Sequence, residues 1–131
     1  MRGFSVRTER KTQLVDITRR VQEEVAEAGI ENGLCFLFVP HTTAGLTINE
    51  GADPSVKTDL IRSLDQMVPG DLPYQHAEGN SPAHVKSSLV GTSLTLPVVG
   101  GRLALGRWQS VFFCEFDGPR ERRVWLKIVE G

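Results

Sequence analysis

No stretch of this 131-residue sequence approaches the roughly 20 consecutive apolar residues that a membrane-spanning helix requires. The opening segment MRGFSVRTERK has no apolar run that would serve as a signal peptide. A soluble, cytoplasmic protein with no membrane partner is expected. Charge of one sign is lacking too: 15 basic residues face 16 acidic ones, for a formal charge of -1. The overall positive field of most nucleic-acid binders is therefore missing, and no nucleic-acid partner is expected. Cysteine is scarce. Its two copies, Cys35 in LCFLFV and Cys114 in VFFCEF, sit in apolar strand-like runs, where a thiol behaves as a small buried hydrophobe. Without a Cys-x-x-Cys pair or a secretory signal, neither a thiolate zinc site nor a disulfide framework is indicated. Internal repeats, low-complexity tracts and linkers are also absent, so residues 1–131 read as one domain with one core.

What is present divides into a helical first part and a strand-rich last third. Apolar residues at Ile17, Val21, Val25 and Ala28 recur at helical spacing, with Asp16 or Thr18 as the cap and Gly29 as the stop. GLCFLFVP is a continuous apolar run and reads as a strand buried on both faces, delivering His41 to its end. Asp53 before Pro54 has the chemistry of a cap and first helical position, and Val56, Leu60, Ile61 and Leu64 form the stripe of a second helix. A Pro- and Gly-containing loop, VPGDLPYQHAEGN, leads to Ser81 as the cap of a short helix PAHVKSSLV that stops at Gly91. SLTLPVV, RLALG, WQSVFFCEF and RRVWLKIVE, separated by short turns, predict antiparallel hairpins. The expected fold is α+β: an antiparallel β-sandwich or open-barrel core with two or three helices packed against it.

The residues able to carry chemistry are few. His41, His76 and His84 are each flanked by small or polar residues rather than set in an apolar stripe. Imidazole is the commonest metal ligand and titrates near neutrality, so converging histidines serve metal binding or proton transfer. The spacing is not His-Glu-x-x-His and leaves hydrogen-bonded structural histidines as the other reading. On a helix, His84, Ser87 and Ser88 share one face, and an extended segment would turn His76 and Glu78 to one side. Among the carboxylates, Asp53 is explained as a cap and Asp59 as a solvated helix residue, whereas Glu50 has no such structural explanation. Lys86, Ser87 and Ser88 are suited to grip an anion near a helix start at Ser81, or simply to lie on a solvated face. Trp108 and Gln109 read as core and edge of a strand, and Arg120, Arg122 and Arg123, beside the turn DGPR, are secondary phosphate candidates.

Taken together, the blocks PHTTAGLTINEGADPSV, YQHAEGNSPAHVKSSLVGTSLTLPV and LGRWQSVFFCEFDGPRERR resemble the YjbQ-like family, also called secondary thiamine-phosphate synthase. The resemblance runs nearly end to end, with Arg107 standing where the family usually has threonine. It implies a homotrimer of α+β subunits with a β-sandwich core, and a site containing His41, His76 and His84 with Glu50 nearby. The implied reaction joins a pyrimidine diphosphate to a thiazole phosphate and expels pyrophosphate. The leading expectation is thus an enzyme acting on a phosphorylated small molecule. In it the three histidines hold a divalent metal, zinc or magnesium, and act with Glu50 in catalysis, while Lys86, Ser87, Ser88, Trp108, Gln109 and Arg120 bind substrate. Two alternatives stand beside it: metal-assisted hydrolysis of a phosphoester with Glu50 or Glu78 as base, and a non-catalytic trimer that binds a metal or anion.

Overall fold

The computed structural model describes residues 1–131. In chain order the elements are β1 (Arg2–Arg7), β2 (Gln13–Asp16), α1 (Thr18–Ala28), β3 (Gly33–Phe38), β4 (Ala44–Glu50), α2 (Pro54–Met67), α3 (Ser81–Val90), β5 (Ser93–Val99), β6 (Arg102–Leu103), β7 (Gln109–Glu115) and β8 (Glu121–Glu130). Two sheets form, a five-stranded one ordered β1-β8-β3-β5-β6 and a three-stranded one ordered β2-β7-β4. All their pairings are antiparallel. This is the expected α+β class.

Strand alternation builds the core. Phe4 and Val6, Cys35 and Leu37, Leu96 and Val98, and Val124 and Leu126 point from the large sheet onto Ala44, Leu46, Val111 and Phe113 of the small one. Helix α1 closes one side of this sandwich with Val21 and Val25, both fully buried; burial of a valine side chain is worth about 1.5–3 kcal/mol. Its start is fixed by Asp16, whose carboxylate accepts from the Thr18 amide (3.0 Å) and hydroxyl (2.6 Å). Thr18 Oγ1 in turn accepts from the Val111 amide at 2.8 Å and ties the helix to β7. Gly29, at φ 71°, ends it in the left-handed conformation that glycine adopts without steric cost.

The opposite face of β7 carries Phe112 and Cys114, which with Phe116 pack under Leu60, Ile61 and Leu64 of α2 and Ala83 of α3. Strand β7 is therefore the one buried on both faces. The expectation that GLCFLFVP would be so buried is corrected: Leu34 is 50% exposed and Phe36 40%, because no helix covers the outer face of the five-stranded sheet. Helix α3 also begins one residue before the expected boundary. Ser81 is its first residue, Asn80 is the cap position, and no side-chain cap bond is made. Gly45 sets how closely α3 sits on β4, since a Cβ there would lie 2.5 Å from the Gly91 carbonyl.

Candidate functional site

Four separate parts of the chain meet at the end of the sandwich where β4 begins. His41 lies in the β3–β4 connection, His76 and Glu78 in the loop before α3, His84 on α3, and Asp117, Arg120 and Arg122 in and after the β7–β8 turn. All line one open cavity of 470 Å³. The loop bearing His76 is braced by Tyr74, whose hydroxyl donates to the Pro69 carbonyl. The His76 and His84 rings meet edge to face with centroids 5.4 Å apart, and Glu78 Oε2 lies 3.8 Å from His76 Nε2. A second cavity of 550 Å³ adjoins the first and shares His41, Thr42 and His84; Ser87 and Ser88 line it.

Beneath the histidines lies a buried ion pair. Glu115 is fully buried and Arg122 is 5% exposed. The Glu115 carboxylate accepts from Arg122 Nε (2.8 Å), Arg122 Nη2, the Thr8 hydroxyl (2.7 Å) and the Asp117 amide (3.0 Å). Burial pushes the Glu115 carboxyl up, but these hydrogen bonds and the Arg122 charge outweigh it and hold the group below the usual glutamate range. Arg122 Nη2 also donates to Thr43 Oγ1 at 2.9 Å. Its Nη1 makes no hydrogen bond within the chain and is not sealed off, so two N–H donors remain free at the cavity. Asp117, likewise held below the ordinary aspartate range despite partial burial, accepts from Asn80 Nδ2 (2.9 Å) and Arg120 Nη2 (3.0 Å).

The surroundings of His41 favour its neutral form. Burial, then the Arg122 charge, lowers its pKa; Glu115 offsets part of this and Arg120 adds to it. Its Nε2 accepts from the Arg123 amide at 2.9 Å, so the neutral ring carries its proton on Nδ1.

The structure brings the three histidines to one cavity, but their donor set does not fit the expected shared metal. No three His, Cys, Asp or Glu side chains are arranged to hold one ion. His41 Nε2 is already engaged, and two arginines line the same space. Three other expected partners lie elsewhere in the chain. Strand β4 carries Glu50 about 20 Å from Ala44 at ~3.3 Å per residue, and there Glu50 faces Gln109 in register. Glu50 Oε2 accepts from the Ala52 amide at 2.8 Å, and Gln109 Oε1 from the Gly106 amide at 2.7 Å. Trp108 is 57% exposed, with the Arg107 guanidinium 5.1 Å from its ring centre.

Lys86 is displaced from the serines as well. Ser87 and Ser88, three and four residues after His84, share its face, whereas Lys86 at two residues is turned about 200° away. Lys86 pairs instead with Asp65 of α2. The Ser87 hydroxyl donates to the Ala44 carbonyl (2.7 Å) and that of Ser88 to the His84 carbonyl (3.0 Å). Arg120 does line the histidine cavity. Sequence reading gave Arg122 only a secondary place and passed over Thr43, Asn80, Glu115 and Asp117. A usable sign existed: Arg122 is in phase with Val124 and Leu126, and Glu115 with Val111 and Phe113.

Residues 2–131 match the family described as "UPF0047 protein YjbQ-like". The chain is 45% identical over 130 residues to the UPF0047 protein YugU of Bacillus subtilis, covering 98% of each chain. It is 48% identical over 126 residues to the UPF0047 protein MJ1081 of Methanocaldococcus jannaschii, covering 96% of this chain and 91% of that one. Among solved structures, an uncharacterised YjbQ/UPF0047 protein from Clostridium acetobutylicum superimposes with a TM-score of 0.96 at 46% identity, covering 98% of this chain and 100% of the other. The conserved hypothetical protein TT1486 of Thermus thermophilus gives 0.92 at 48% identity, with 98% and 100% covered. The chain belongs to the YjbQ-like UPF0047 family.

Proposed function

We propose that this member of the YjbQ-like family is an enzyme acting on a phosphorylated small molecule in the cavity of His41, His76 and His84. One observation carries the reading: Arg122 is almost wholly buried, is locked in orientation by Glu115 and Thr43, and still presents an unpaired Nη1 to that cavity. A guanidinium held rigid at the edge of a polar cavity suits a phosphate oxygen, and rigidity means little ordering cost on binding. Arg120 adds a second cation, and the imidazoles supply general acid or base groups.

The named form of the reaction is thiamine-phosphate synthesis. In that chemistry the thiazole nitrogen's lone pair forms a bond to the pyrimidine methylene carbon as the carbon–oxygen bond to diphosphate breaks. Pyrophosphate leaves with the bonding pair, and the charge developing on it meets the guanidinium of Arg122. The two adjoining cavities, joined at His41, Thr42 and His84, suit a reaction with two partners. The homotrimer belongs to the same reading and is supported by the uncovered apolar face of Leu34, Phe36, Trp125 and Val129.

The test is turnover of the pyrimidine diphosphate and thiazole phosphate pair, followed by pyrophosphate release, beside a panel of phosphomonoesters. Product from the pair, lost in Arg122→Met and His84→Ala, supports the transferase. Phosphate release from a monoester would move the reading to hydrolysis. No turnover together with no phosphate binding overturns it.

A further inference from the structure

Lys86, parted from the histidines by the turn of its own helix, opens onto a different cavity. This one measures 290 Å³ and lies between the ends of α2 and α3 and the β1–β2 loop, with Lys11, Asp65, Gly79, Asn80 and Lys86 among its lining residues. Two of its features are costly as pure structure.

The first is Lys86 itself. It is 6% exposed, yet its ammonium group donates within the chain only to Asp65, whose side chain is 55% exposed. An ammonium carries three N–H donors, so two are left over in a nearly dry place. A pair in which the cation has lost its water while the anion remains hydrated recovers little of the desolvation cost. A methionine at this position would keep the packing without that penalty. The second feature is Asn80. Its Nδ2 donates to the ionised Asp117 carboxylate, which fixes the amide orientation, since that carboxylate has no proton to give. Oδ1 is buried and has no hydrogen-bond partner within the chain. A buried acceptor with nothing to accept from is rare and calls for a donor from outside the chain.

We propose that this cavity is a second ligand site, for a small anion that also carries a hydroxyl or amino hydrogen-bond donor. Its anionic group sits on Lys86 Nζ, with Lys11 at the rim, and its donor satisfies Asn80 Oδ1. Charge agrees with this assignment, because Lys11 and Lys86 face Asp65 alone and leave one positive charge unmatched. Size restricts the ligand to the small end of pocket occupants. Phosphomonoesters and hydroxycarboxylates share the required chemistry. The site stands independently of what the histidine cavity does, although Asn80 belongs to both cavities.

The experiment is a two-dimensional amide NMR titration of the full-length protein with glycerol 3-phosphate, and separately with glycerate, each taken to about 20 mM so that millimolar affinity is visible. Saturable shifts at Lys11, Gly70 and Gly79 are expected, weakened at least ten-fold in Lys86→Met and in Asn80→Ser but unchanged in His84→Ala. A response to glycerol 3-phosphate alone assigns the phosphomonoester, and a response to glycerate assigns the carboxylate. Absence of shifts at these amides with both probes overturns the proposal. So do shifts confined to the surroundings of His41 and His84, or equal affinity in Lys86→Met.

Discussion

Replacing Glu115 by glutamine keeps the shape of the side chain while removing the charge that balances Arg122. The carboxylate accepts four hydrogen bonds, from Thr8, from the Asp117 amide and twice from Arg122, and the residue is fully buried. Glutamine keeps one acceptor oxygen, but its amide N–H group then faces donors. Arg122, at 5% exposure, is left as a buried cation without its counter-charge. Breaking such a pair from one side costs about 3–5 kcal/mol. At roughly 3–5 °C per kcal/mol for a chain of this size, the melting temperature should fall by about 9–25 °C. The assay is urea and thermal unfolding at neutral pH and fixed protein concentration, since any oligomer makes the midpoint concentration-dependent.

The exposed pair Arg7–Glu121, both partners more than half exposed, is the internal control, and Glu121→Gln should cost under about 1 kcal/mol. The double variant Glu115→Leu with Arg122→Met removes both buried charges and should regain most of the loss, because apolar replacement of a whole buried pair is often neutral or better. It should nevertheless fail to bind phosphate. That split separates the pair's cost in stability from its use in binding. A loss below about 1 kcal/mol for Glu115→Gln, no different from the surface control, would refute the reasoning.

Three further outcomes are expected. His41 has a folded-state pKa below its ordinary value, so as pH falls through about 6.5 the unfolded chain takes up the proton first and stability declines until the folded value is reached. Urea unfolding from pH 8 to 5 should show this slope and His41→Gln should flatten it; an unchanged slope counts against the assignment. Burial raises the thiols of Cys35 to about 11 and Cys114 to about 12, so neither should react with a disulfide reagent in the folded protein. Cys114→Ala should cost about 1 kcal/mol and spare any turnover, whereas rapid labelling or lost activity in a folded variant contradicts the structural role. Finally, light scattering should give a trimer for the native protein and a smaller species for Trp125→Glu, a change on the uncovered face of the large sheet; an unaltered mass moves the interface elsewhere.

The elements legible in the sequence are those whose signals are local. Helix α1 shows its apolar spacing and its Gly29 end, although Ile17 takes the cap position in place of Asp16 or Thr18, and α2 begins where Asp53 and Pro54 place it, with Asp53 Oδ1 accepting from the Ser55 amide at 2.9 Å. Strand β3 reads as buried on both faces because an apolar run reports hydrophobicity, not what covers it. Leu34 and Phe36 look as core-like as Cys35 and Leu37, and only the sheet order places nothing over them. The displacement of Glu50 from the histidines has the same origin. Its distance from His41 is set by the length and direction of β4, which local pattern does not encode.

The histidines were visible because imidazoles at element boundaries draw attention; the group that organises their cavity was not. Arg122 stands in the run RERR, which reads as a charged turn. Along β8, however, Arg122, Val124 and Leu126 alternate with exposed Glu121, Arg123, Trp125 and Lys127. Along β7, Glu115 continues the inward face of Val111 and Phe113, and Thr8, one residue past β1, continues that of Phe4 and Val6. Three strands thus end their apolar faces in a cation, a carboxylate and a hydroxyl, and these meet at one end of the sandwich. A charge in phase with an apolar face costs several kcal/mol unless it finds a partner. When three strands carry such residues at the same end, the economical reading is a built network rather than three separate accidents. The period-2 phase of a charged residue is therefore a better pointer to this site than the histidines, whose positions mark the rim while Arg122 and Glu115 fix its floor.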